Sequence, residues 1–330
     1  MTRNTICYLG LDISKHTIDC QFIIDNKPIQ YLKIDNHTDG YQTLLHHIHQ
    51  IMQIHQSTIY ACCESTGVYY LGIAQYLYQH QISISVVNPS VIKSYANMHL
   101  QRIKTDKQDA KTIAQYCQSQ QPALWQPPSL QKTQLTALNR RIDQLNQLLT
   151  MEKNRRYVSD DITQASIRTM IDCISQQIAL CQSQIQQLIE QHDTLKHQQK
   201  LLQTIPGIGV TTANWLLSVL VDIDKFPTSK QLVSYLGLSP IVRQSGKGKA
   251  WQRISKMGDK FIRKALYMPA RAACVRSKLW RPWFDAKIKA GKHPKQIYVL
   301  MMRKLVIYAY TCLKTNQPFN ADLHKKEGLS

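Results

Sequence analysis

Residues 6–14 read Ile-Cys-Tyr-Leu-Gly-Leu-Asp-Ile-Ser. The run from Ile6 to Leu11 is apolar and of strand length, and it ends in a carboxylate, Asp12. A charge at the end of a buried element is costly unless it has a task. Thr17 to Ile24 and Ile29 to Ile34 follow at strand length, bounded by the turn residues Asp25-Asn26 and Asn36. The spacing predicts successive antiparallel hairpins. Asp39-Gly40 opens a helical pattern that runs to about Gln53. Thr58 to Cys63 is a further strand, and it too ends in an acid, Glu64. A helix from Val68 to His80 and a strand from Ile82 to Val87 come next, closed by Asn88-Pro89. Helices follow over Ser90–His99 and Asp106–Ser119. The order βββαβαβα is a mixed sheet with helices on its faces, and it is the order of the ribonuclease H-like fold.

The acids fit that order. Asp12 and Glu64 each end a strand, and Asp106 and Asp109 stand three apart at a helix start, hence on one face. Carboxylates from three separated segments can converge at one sheet edge. Like charges brought together repel unless a cation sits between them, so the cluster implies a bound metal. Oxygen-only ligation favours Mg²⁺ or Mn²⁺ over zinc. Such ions clamp the attacking and leaving oxygens of a phosphoryl transfer. The alternative for Asp106 and Asp109 is that they only complement a helix N-terminus.

The chain has 330 residues, 43% of them hydrophobic, which suits two or three domains with real cores. The formal net charge is +20, a nucleic-acid signature. Residues 1–115 hold nine Lys/Arg against eight Asp/Glu, whereas residues 241–310 hold eighteen against Asp259 and Asp285 alone. The second stretch is a polyphosphate-binding surface. Nine cysteines without a CxxC pair read as reduced core thiols in a cytoplasmic protein, with adjacent Cys62 and Cys63 on opposite faces of their strand. His46, His47 and His49 read as helix surface. No signal peptide and no membrane span are expected.

Pro122 to Pro128 is a linker. From 130 to 200, Leu135, Leu138, Ile142, Leu145 and Leu148, then Ile171, Ile174, Ile178, Cys181 and Ile185, recur at helical spacing. Two long amphipathic helices broken near Val158–Thr163 would form an antiparallel hairpin or a coiled coil, with self-association as the favoured use of the apolar stripe. Ile205-Pro206-Gly207-Ile208-Gly209 between two helices is a helix-hairpin-helix signature, in which Gly207 and Gly209 bring backbone N–H groups to a phosphate. The chain thus divides into 1–121, 122–200 and 201–330, the last mainly helical. Residues 239–264 read as a basic loop, because Pro240, Gly246 and Gly248 punctuate it. Arg243, Lys247, Lys249, Arg253, Lys256 and Arg263 suit phosphate oxygens. Ser245 lies among them. From the residues alone it is either a nucleophile toward a phosphodiester or part of a loop that grips a backbone.

Taken together, the motifs resemble a known family. Gly-Leu-Asp-Ile-Ser, Glu64-Ser65-Thr66-Gly67 and Lys104-Thr105-Asp106-Lys107-Gln108-Asp109-Ala110 resemble the DEDD-type, RuvC-like domain of insertion-sequence family 110 transposases. Ile205 to Gly209, Tyr235-Leu236-Gly237-Leu238-Ser239-Pro240, Gln244-Ser245-Gly246 and Ile254-Ser255-Lys256-Met257-Gly258 resemble that family's C-terminal transposase domain. The resemblance implies that Asp12, Glu64, Asp106 and Asp109 hold divalent metal. It also implies that Ser245 attacks DNA to form a phosphoserine linkage, and that a structured guide RNA pairs with donor and target DNA. Two other classes fit the residues: a structure-selective nuclease that uses metal and water without the serine, and a non-catalytic nucleic-acid-binding protein.

Overall fold

The computed structural model describes residues 5–100, 105–243 and 251–322. The chain divides into two compact units, Met1–Pro127 and Pro128–Ser330. The first is built on β1 (Thr5–Ile13), β2 (Thr17–Ile24), β3 (Lys27–Asp35), α1 (Thr38–His55), β4 (Ser57–Glu64), α2 (Tyr70–Gln79), β5 (Ser83–Val87), α3 (Pro89–Met98) and α4 (Asp106–Gln120). The sheet order is β3-β2-β1-β4-β5. β1 pairs antiparallel with β2 and parallel with β4, and β4 pairs parallel with β5. This is the mixed sheet expected from the sequence, with Asp12 near the end of β1.

Side-chain alternation separates two cores. Cys7, Leu9, Leu11 and Ile13 of β1 pack with Leu44 and Ile48 of α1 and Ile73 and Leu77 of α2. Tyr8 faces the other way, with Cys62 of β4 and Ile113, Ala114 and Cys117 of α4. Cys62 and Cys63 fall into different cores, as their strand position requires. Gly10 lets α4 lie directly on β1: a Cβ there would stand 2.0 Å from the Ala110 carbonyl oxygen and 2.5 Å from the Ala114 nitrogen. The segment after α4 is tied down. Tyr60 Oη and Ser85 Oγ donate to the Pro122 carbonyl, and Trp125 N donates to Ile84 O at 2.7 Å.

The second unit contains α5 (Leu130–Val158), α6 (Asp161–Glu190), α7 (Asp193–Gln203), α8 (Val210–Leu220), α9 (Ser229–Tyr235), β6 (Pro240–Arg243), β7 (Trp251–Ile254), α10 (Lys260–Arg276), α11 (Arg281–Lys289) and α12 (Pro294–Thr315). α5 and α6 are joined by two residues, and Asp160 caps α6 by accepting from Thr163 N at 3.1 Å. They pack as a hairpin. The apolar stripe is used inside the chain: Leu135, Ile142, Leu145, Ile174, Cys181 and Ile185 are buried in one core with residues of α8, α10 and α12. Leu148, Met151, Tyr157, Val158, Ile162 and Met170 stay exposed.

One element differs from the sequence reading. Residues 239–264 are not loop throughout, because β6 and β7 pair on either side of the glycine-lysine run. Their Ile241, Val242, Trp251 and Ile254 are β-branched or aromatic residues, which favour an extended backbone. Trp280 precedes α11, which carries Pro282 in its first turn.

Candidate carboxylate face and serine hairpin

In the first unit the sheet fixes the geometry. The last registered pair between β1 and β4 is Leu11 with Cys63, so Asp12 and Glu64 come next on neighbouring strands. Both share strand parity with the residues under α4: Asp12 with Tyr8 and Gly10, Glu64 with Tyr60 and Cys62. Both are half-buried. α4 crosses this face, and its first turn carries Asp106 and Asp109, with Thr105 capping the helix by accepting from Gln108 N at 3.2 Å. Asp106 is exposed and Asp109 half-buried.

A further carboxylate belongs to the same face. Asp19 of β2 is directly opposite Asp12 in the antiparallel register. It is only 4% exposed. Lys33 Nζ lies 3.3 Å from Asp19 Oδ2 and 3.8 Å from Asp106 Oδ2, linking β2 to the start of α4. The Tyr31 hydroxyl donates to Asp19 Oδ1, and that bond is the largest cause of a phenol pKa pushed up to about 12. Lys107 Nζ stands 4.9 Å from the Tyr31 ring centre. Sequence reading missed Asp19 because a polar residue in an alternating strand reads as solvent-facing.

The donor set is all oxygen, which fits a hard divalent cation. The side chains are not drawn together around one. Among the described residues, no group of three or more His, Cys, Asp or Glu is gathered closely enough to hold an ion. Asp12 and Glu64 are adjacent, and Asp106 meets Lys33.

In the second unit β6 and β7 form an antiparallel hairpin, from Pro240 opposite Ile254 to Arg243 opposite Trp251. Arg243 and Arg253 lie on its strands. Ser245, Lys247 and Lys249 belong to the connecting segment 244–250, outside the described residues. Lys256 is exposed just past β7, with φ at 57°. Arg263 points inward instead: its Nη1 donates to Leu236 O and Gly258 O, each at 3.0 Å.

Gly207 and Gly209 form the turn between α7 and α8. Gly207, at φ 105°, lies against α10, where a Cβ would come 2.8 Å from the Ala273 Cβ. Gly209 is the N-cap of α8, and no described atom lies within 4 Å of a Cβ built on it. It opens onto a groove of about 450 Å³ lined by Thr212, Met268, Arg271 and Arg276, among others. The two arginines on α10 join the glycines as candidate phosphate contacts. α10 carries basic residues along its length, and its packing beside α8 brings Arg271 and Arg276 to the groove.

Comparison with known proteins agrees with both units. Residues 9–157 match a DEDD transposase profile of the IS110 group, described as "Transposase". Residues 199–288 match the "Transposase IS116/IS110/IS902 family" profile. The chain is 36% identical over 325 residues to the pilin gene-inverting protein of Moraxella bovis, covering 96% of this chain and 99% of that one. The chain belongs to the IS110 transposase family. The pilin gene-inverting protein of Moraxella lacunata is also 36% identical over 325 residues. The transposase for insertion sequence element IS1111A of Coxiella burnetii is 38% identical over 71 residues, 22% of this chain and 20% of that one. As an IS110-family member the chain is a DNA transposase/recombinase. Among the described residues, no helix is long and apolar enough to cross a membrane.

Proposed function

We propose that this chain cuts and rejoins DNA through a covalent serine intermediate, with Asp12, Glu64, Asp106 and Asp109 as the residues that hold Mg²⁺ or Mn²⁺. The observation that carries this reading is the common face of β1 and β4 beneath the acidic first turn of α4. A bound divalent cation supplies charge neutralisation and polarises phosphoryl oxygens. Asp12 and Glu64 sit on strands whose positions are fixed by sheet hydrogen bonds, and Asp106 and Asp109 sit on a helix held against β1 by Gly10. Ser245 Oγ attacks phosphorus, its proton leaves, and the bond from phosphorus to a sugar oxygen breaks, that oxygen taking up a proton. The reverse attack by a sugar hydroxyl rejoins a strand and frees the serine. The phosphodiester bond energy is kept throughout, so no external energy source is needed.

The excess of Lys/Arg in residues 241–310 supports contact with nucleic acid, and a structured guide RNA is the second ligand of that surface. The α7–α8 turn acts as a helix-hairpin-helix contact through Gly209, and the α5–α6 hairpin as a coiled-coil region for a homo-oligomer. The three functional segments are 1–121, 122–200 and 201–330. Nine free thiols suit a reducing compartment, the cytoplasm. The pilin gene-inverting relatives support inversion of a DNA segment as one outcome of strand exchange. The test is strand cleavage by Asp12→Asn and Glu64→Gln with Mg²⁺, Mn²⁺ or EDTA. Each variant should fold with an unchanged circular dichroism spectrum and lose cleavage. Wild-type rates in either variant remove that residue from the site, and cleavage in EDTA removes the metal.

A further inference from the structure

The chain closes on itself at the foot of the β6–β7 hairpin. Gly237 precedes the hairpin and Gly258 follows it, with φ at 69° and 138°. Each glycine is pressed on the other's turn. A Cβ on Gly258 would fall 2.1 Å from Tyr235 O, and one on Gly237 would fall 2.7 Å from Met257 O and 2.9 Å from Arg263 Nη1. No L side chain fits at either position. Backbone bonds zip the two arms together above this crossing, from Lys256 N to Gly237 O at 3.1 Å and from Ser255 N to Ser239 O at 2.9 Å.

Arg263 bolts the crossing. Its Nη1 donates to one carbonyl from each arm, Leu236 O before the hairpin and Gly258 O after it. The foot is anchored on the helices as well. Leu236 and Leu238 are buried, Asp259 caps α10 by accepting from Phe261 N at 2.7 Å, and Arg140 of α5 reaches Asp259 at 3.4 Å. A two-stranded ribbon of four-residue strands has little stiffness of its own. Its direction is therefore set where it leaves the helices.

We propose that Arg263 is a positioning residue for strand transfer: by joining the two arms at their crossing it sets the direction in which β6–β7 presents its connecting segment to DNA. This replaces the expectation that Arg263 contacts nucleic acid, and it rests on the reading of Ser245 as the nucleophile. A displacement of about 1 Å at a reacting group can cost on the order of 100-fold in rate.

The test uses full-length wild type, Arg263→Gln, Arg263→Lys and Ser245→Ala. The probe is a labelled duplex carrying the end of the element that encodes the chain, with the transcript of that element's non-coding flank. At saturating DNA, Arg263→Gln should form the covalent adduct on the order of 100-fold more slowly. Arg263→Lys, which keeps the charge and can serve one carbonyl, should fall between it and wild type. Half-saturation by DNA and the salt dependence of binding should match wild type in both. Wild-type adduct rates overturn the proposal. Weaker binding with a flatter salt dependence makes Arg263 a phosphate contact and overturns it too, and if neither variant folds the residue serves the fold alone. No adduct with wild type, or an adduct that persists in Ser245→Ala, refutes the serine reading itself.

Discussion

Asp12 and Asp19 face each other across β1 and β2, yet only one of them could be singled out from the sequence. Asp12 interrupts an apolar run, which marks it as a charge with a task. Asp19 stands in Thr-Ile-Asp-Cys-Gln-Phe, where alternation is the ordinary signature of a half-exposed strand. α4 closes over that side and buries it, a tertiary fact the pattern cannot contain. Asp19 is held by Lys33 and Tyr31, so Asp19→Asn should remove the charge that the Lys33 ammonium and the Tyr31 hydroxyl meet and destabilise the first unit by about 1–3 kcal/mol, read from urea unfolding. No loss of stability would show that the buried pair contributes nothing. Thiol chemistry gives a second check. Burial pushes Cys7 and Cys274 up to about 12 and Cys312 up to about 11, whereas Cys173 is exposed. Brief alkylation of the folded protein at pH 8 should modify Cys173 and spare those three, because the thiolate is the reacting form. Equal labelling of all four, located by peptide mass mapping, would contradict the packing described for these cysteines.

At the scale of elements, the sheet and its helices were largely legible because each strand's period is short and its ends carry turn residues. β2 and the start of α4 fall where the pattern puts them. β6 and β7 were not legible. They are four residues each, and the glycines and lysines between them dominate any local reading. The α5–α6 stripe shows another limit. Its spacing announces an apolar face but not whether that face meets the same chain or a second copy. Leu145 is buried within the chain, so Leu145→Ala should cost about 2–5 kcal/mol of stability, measured by chemical denaturation, rather than only lower the oligomer number. An unchanged midpoint would mean that the stripe is covered only on association. Gly10→Ala should also destabilise, by about 1–3 kcal/mol or more, since its Cβ would meet the α4 backbone and not a movable side chain. A neutral substitution would contradict the direct contact of α4 with β1 at Gly10.

For the whole molecule, charge and association matter most. The basic stretch 241–310 should make nucleic-acid binding steeply salt-dependent, with a log–log slope of about 0.9 per phosphate contact on duplex DNA. Replacing Lys247, Lys249 and Arg253 by Ala should flatten that slope, and an unchanged slope would place the binding surface elsewhere. Tyr157, Val158 and Ile162 are exposed where α5 meets α6. The strand-joining chemistry itself is tested by the protein–DNA adduct. Wild type incubated with Mg²⁺, the flank transcript and an element-end duplex nicked to trap cleavage should yield a serine phosphodiester that mass spectrometry maps to Ser245. Ser245→Ala should bind the same DNA and yield none. An adduct on Ser239 or Ser255, or strand exchange without any adduct, would contradict the mechanism proposed for this transposase.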